Sequence, residues 1–86
     1  MNQLGELIRE TRKAKGISQE TLGKLVSYER PNILNIEAGK KPAPDDLLER
    51  IAQELDLPYK RLLALKILDR IDNEVKDWLR VELSRL

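Results

Sequence analysis

From Leu4 onward the apolar residues of this 86-residue chain recur three and four positions apart, the period of one face of an α-helix. Leu4, Leu7, Ile8 and Thr11 set the first run and Gly16 ends it, which predicts a helix over 3–15. Ser18 can cap a second helix from Gln19 to about Val26 that buries Leu22 and Val26. Glu20 lies in its first turn, near the positive end of the helix dipole, while Thr21 at the third position leaves the capping box incomplete. In SYERPNILNIEAG, Ile33 and Ile36 share a face of a third helix that ends near Ala38, with Gly39 after it. Pro44 suits the first position of a fourth, with Asp45 and Asp46 in its first turn and Leu47, Leu48, Ile51, Ala52 and Leu55 as its stripe. Pro58 opens a fifth in the same way, with Leu62, Leu63 and Leu65 as the candidates for burial. Beyond Ile67 a further stripe runs through Leu68, Ile71, Val75, Trp78 or Leu79, Leu83 and Leu86. Asp72-Asn73 either caps a fresh helix or lies within one long one. Every element is helical, so the expected fold class is all-α.

Composition agrees and removes several functions. The 16 Leu, 7 Ile and 3 Val can fill a small aliphatic core, while Phe is absent and the aromatics are Tyr28, Tyr59 and Trp78. There is no Cys, hence no disulfide or thiolate chemistry, and no His, the commonest general base and zinc ligand. No catalytic pair and no phosphate-binding glycine loop is present, so an enzyme is not expected, nor a metal or other cofactor. The longest apolar run, Leu62 to Leu65, is too short for a bilayer, and Glu6, Arg9 and Glu10 interrupt any signal-peptide core; a cytoplasmic protein is expected. Net charge is +1, unevenly spread: residues 1–44 carry eight basic and five acidic residues, residues 45–86 eight and ten.

The second and third helices, joined by a short turn at Ser27-Tyr28-Glu29, have the form of a helix-turn-helix, with Leu22, Val26, Ile33 and Ile36 as packing positions and Gly23 allowing close approach. With IRETRKAKGISQETL before the turn, then NIEAGKKPAP and LLERIAQELDLP, residues 4 to about 65 resemble the lambda-repressor/Cro-type (XRE-like) helix-turn-helix family. The resemblance implies a five-helix DNA-binding domain and a structural ion pair between Arg12 and Glu37. The chain departs from the family pattern at four places. Ser27 stands where Gly is usual, at a cost on the order of 1 kcal/mol if it is left-handed. Gly23 replaces the customary Ala, and Pro31 and Leu34 replace commonly polar residues of the DNA-facing helix.

Pro31 is acceptable in the first turn of a helix because the amides there have no intrahelical partner. It is expected at the first helical position, with Arg30 at or near the cap, pushed out of the α region by the proline. In helix-turn-helix proteins the residues at this end of the third helix meet base edges in the major groove of DNA. Candidate base contacts are Arg30 to guanine or a phosphate, Asn32 and Asn35 to adenine, and Leu34 to a thymine methyl, with Pro31 stiffening the entry. Asn35 could equally face solvent, and Leu34 could pack on a neighbouring side chain or subunit. Candidate phosphate contacts are Ser18 and Gln19 at the second helix's N-terminus, then Lys40 and Lys41, with Lys13 and Lys24 as weaker ones.

Two segments are expected: a DNA-binding domain over 1–65 and an amphipathic extension over 66–86. The extension either folds onto its own domain as a sixth helix or pairs with a second subunit through Leu68, Ile71, Val75, Trp78, Leu79 and Leu83. The expected function is a homodimeric, sequence-specific transcriptional regulator on a palindromic site in double-stranded DNA, acting as a repressor. The alternative is a protein-interaction module of the antitoxin or anti-regulator kind, whose C-terminal helix captures a partner protein.

Overall fold

The computed structural model describes residues 2–85 as five helices: α1 (Gln3–Ala14), α2 (Gln19–Val26), α3 (Arg30–Glu37), α4 (Asp45–Leu55) and α5 (Tyr59–Ser84), with no strand among the described residues. Leu86, counted above with the last stripe, lies outside the described residues. The apolar stripes of α1 to α4 converge on one core. Ile8, Leu22, Val26, Ile33, Leu47, Leu48, Ile51 and Leu55 are essentially inaccessible, and Leu62 is the only buried residue that α5 adds. Leu63 and Leu65 are half-buried.

Local chemistry sets the helix ends. Ser18 Oγ accepts from the Thr21 amide at 3.0 Å and caps α2. At its other end Ser27 adopts the left-handed conformation, φ 62°, and the chain reverses there as the Tyr28 amide donates to the Gly23 carbonyl at 2.8 Å. The turn folds back so tightly that a Cβ on Gly23 would collide with the Tyr28 carbonyl oxygen. The close approach that Gly23 permits is that of the turn backbone first, with the amide nitrogen of Arg30, the first residue of α3, in van der Waals contact with that Cβ position at 3.6 Å.

Each of the three helices expected to open on a proline is offset by one residue. Pro44 and Pro58 are caps preceding α4 and α5, with ψ of 150° and 125°, and their carbonyls accept the first helical bonds from Leu48 (3.0 Å) and Arg61 (3.1 Å). In α3 the order is the reverse: Glu29 is the cap, Arg30 the first residue and Pro31 the second. The Glu29 carbonyl accepts from Asn32 at 3.0 Å and Ile33 at 3.4 Å, which draws Arg30 into the helix despite the proline after it. Pro31 still occupies a first-turn position that needs no amide.

Residues 59–84 form one unbroken helix, so Asp72-Asn73 lies within it and no separate sixth helix folds back on the domain. At 1.5 Å per residue α5 is about 39 Å long, and it accounts for the elongation of the molecule, 49 × 24 × 22 Å. Ile71 follows Leu62 by nine residues, or about 180° around the helix, so the extension's apolar stripe faces away from the core that Leu62 enters.

Candidate nucleic-acid interface

α2 and α3 are held by a brace that begins on α1. Arg12 Nε and Nη2 donate to Glu37 Oε2 and Oε1 at 2.8 and 2.9 Å, a two-pronged pair with both side chains almost fully buried. Arg12 Nη1 donates to the Ile17 carbonyl at 2.9 Å, and Gln19 Nε2 to Glu37 Oε1 at 3.2 Å. Every buried polar side-chain atom among the described residues has a partner, which is what makes a buried charge pair tolerable. Glu37, at the end of α3, is thus tied to α1 and to the first residue of α2.

That brace positions one end of a basic, hydrogen-bonding surface. Arg12, Ser18, Gln19, Glu20 and Arg30 line an open depression of about 280 Å³ beside the start of α2. The backbone amides of Gln19 and Glu20 have no partner among the described residues and open onto the start of α2, an arrangement that attracts anions. Arg30, Pro31 and Leu34 are exposed along α3, with Leu34 at 48%, while Asn32 and Asn35 are half-buried.

The other candidates lie apart from this depression. Lys40 and Lys41 follow the C-terminus of α3, where their amides donate to the Asn35 carbonyl at 2.9 and 3.4 Å. They border a second groove of about 340 Å³ between the α3–α4 loop, the start of α1 and α5. Lys13 is exposed in the last turn of α1, and Lys24 lies 3.5 Å from Glu20 on an exposed face of α2.

Sequence reasoning missed the residues that join α1 to both α3 and α5. Asn2 caps α1: its Oδ1 accepts from the Gly5 amide at 3.2 Å, and its Nδ2 donates to the Glu37 carbonyl at 2.7 Å. Gly5 is required at this crossing, since a Cβ there would meet both that carbonyl and the Asn2 side chain. From the far end of the chain, Asp69 accepts from the Gln3 and Leu4 amides at 3.0 and 2.9 Å. An Asn just before an apolar helical run was a readable capping signal for Asn2; no local signal announces Asp69. Arg50, also unanticipated, donates to the Val26 carbonyl at 3.2 Å and fastens α4 to the end of α2.

Residues 3–65, the segment that carries the brace, the turn and the depression, match the helix-turn-helix domain family. The chain belongs to that family. Its type is the lambda-repressor/Cro (XRE) type of DNA-binding transcription regulators. The restriction-modification controller protein C.AhdI from Aeromonas hydrophila is 34% identical over 69% of this chain and 89% of its own, with a TM-score of 0.65. The clp gene regulator ClgR from Corynebacterium glutamicum shares the fold, with a TM-score of 0.66 over 91% of this chain and 84% of its own at 22% identity. No curated protein matches the chain. Among the described residues no helix is long and apolar enough to cross a membrane, and no cluster of acidic side chains could hold a metal ion.

Proposed function

We propose that this protein is a cytoplasmic, sequence-specific repressor that occupies a palindromic operator as a homodimer. The observation that carries the dimer is the outward stripe of α5. Leu68, Ile71, Val75, Trp78, Leu79 and Leu83 are 45–66% exposed, and Leu68, Ile71, Val75 and Trp78 lie on the side of the helix turned away from its own core, with Leu79 on its flank. Pairing with the same stripe of a second chain removes them from water and presents two α3 helices to two half-sites about one helical turn apart. The likeness to C.AhdI, a restriction-modification controller protein, supports a regulatory role.

In this reading Arg30 donates to guanine or a phosphate, Asn32 and Asn35 pair with adenine edges, and Leu34 meets a thymine methyl, with Pro31 stiffening the first turn. The free amides of Gln19 and Glu20 take a phosphate in the depression beside Arg30, with the Ser18 and Gln19 side chains at its edge. Lys13, Lys24, Lys40 and Lys41 add anchoring without sequence information. The reaction surface needs no catalytic group or cofactor.

Selection from a random duplex pool, followed by binding of the recovered site at several salt concentrations, tests this. A recurrent palindrome is expected, and Arg30→Ala is expected to cost roughly 1–3 kcal/mol of discrimination at one base pair of each half-site. Salt-steep binding with no enriched sequence would leave only phosphate attraction. Absence of DNA binding by a folded chain would favour capture of a protein partner by the extension.

A further inference from the structure

We propose that Asp69 is a positioning residue that sets the spacing between the two half-sites this protein reads. This rests on the homodimeric reading above. If α5 pairs in trans, the distance and angle between the two α3 helices depend on how rigidly each α5 is joined to its own head, the part built from α1 to α4. Apolar packing fixes only the first two turns of α5, where Leu62 is buried and Tyr59 and Leu65 pack against the core. Beyond Leu65 the face turned toward the head carries Lys66 and Asp69, and among the described residues these two side chains bond to the head.

The two tethers differ in kind. Lys66 Nζ lies 2.8 Å from Asp45 Oδ1, an ion pair with the Asp45 side chain 62% exposed between two flexible side chains. Such pairs constrain geometry weakly. Asp69 instead grips two successive backbone amides at the start of α1, those of Gln3 and Leu4, at 3.0 and 2.9 Å. These are charge-assisted bonds to atoms that cannot swing independently of the helix. Together with Asn2, which takes the Gly5 amide, they satisfy the free donors of the first turn of α1.

The same turn is fastened to the reading helix. Asn2 donates to the carbonyl of Glu37, and the Glu37 carboxylate is locked to Arg12 and Gln19. A continuous set of hydrogen bonds therefore runs from Asp69 on α5, through the first turn of α1, to the end of α3. Asp69 also lies in the same helical turn as Leu68 and Ile71, where the outward stripe begins. The position is sensitive. The molecule is 22–24 Å across its short dimensions, so a swing of roughly 10° about Asp69 carries the far side of the head by about 4 Å, on the order of the rise of one base pair.

The test uses the full chain and duplexes carrying either one copy of the half-site recovered by selection, or two copies at the selected spacing and at one base pair more or less. Wild type is expected to prefer the selected spacing by about tenfold or more. Asp69→Ala is expected to reduce that preference to about threefold or less, and Asp69→Asn, which keeps the shape and one uncharged acceptor, to fall between. Binding to the single half-site should stay within about twofold in both variants, a readout that a damaged head would lose. An unchanged spacing preference in both variants would overturn the role of Asp69 and leave the dimer intact. Loss of half-site binding in Asp69→Asn would also overturn it, assigning Asp69 to the folding of the head. Indifference of wild type to spacing would overturn the dimeric reading and this inference together.

Discussion

The head and the outer part of α5 are built from the same residues at the same helical period, and they end in opposite environments. In the head, Leu22, Leu47, Leu48 and Ile51 are fully buried; in the extension, Leu68, Ile71, Val75 and Leu79 are 45–48% exposed. What differs is which side of the helix carries the apolar residues. On α4 the stripe points into the bundle, whereas on α5 Leu62 points in and the stripe from Ile71 onward points out. Periodicity therefore reveals that a helix has a face to bury, and the register relative to the bundle decides whether its own chain can bury it.

This contrast can be broken or sharpened by substitution. The largest effect is expected at the buried brace: Arg12→Ala strands the Glu37 carboxylate in the core and should cost about 3–5 kcal/mol in a urea titration. A loss below about 1 kcal/mol would mean that the pair does not brace the head. Next, Leu48→Ala should cost about 2–5 kcal/mol, while Leu79→Ala, measured on the dilute chain, should stay within about 0.5 kcal/mol. Similar costs at the two leucines would erase the distinction between head and extension. Smaller again is Gly23→Ala. Helix propensity alone favours it by up to about 1 kcal/mol, but the new Cβ meets the Tyr28 carbonyl, and the net result should be a loss of about 1–3 kcal/mol. A gain in melting temperature would show that the turn yields easily.

Much of the head was legible because its determinants are local. Ser18 as a cap, the end of α2 at Val26 and the stripe of α4 all follow from residues within one or two turns of each other. The offsets at Pro44 and Pro58 have a common cause. Proline fixes φ near −65°, which suits the residue before the helix as well as the first one in it, and the choice rests on ψ, which proline leaves free. Asp69 was illegible for a different reason: its partners are amides 65 and 66 residues away, and no local pattern marks such a meeting. The unbroken course of α5 through Asp72-Asn73 also lay beyond the sequence, since both residues serve equally as caps or as exposed helical positions. Of the candidate DNA contacts, Ser18, Gln19 and Arg30 meet around one depression, which their separation in sequence did not require; Lys40 and Lys41 lie beyond the other end of α3.

A homodimer requires the outward stripe of α5 to be covered by a second copy of the chain. Sedimentation velocity at micromolar concentration measures this directly. The expected mass is twice that of the 10.0 kDa chain, falling to a single chain in a folded Ile71→Glu/Val75→Glu variant. A folded wild-type chain that sediments as a monomer throughout the micromolar range would contradict it.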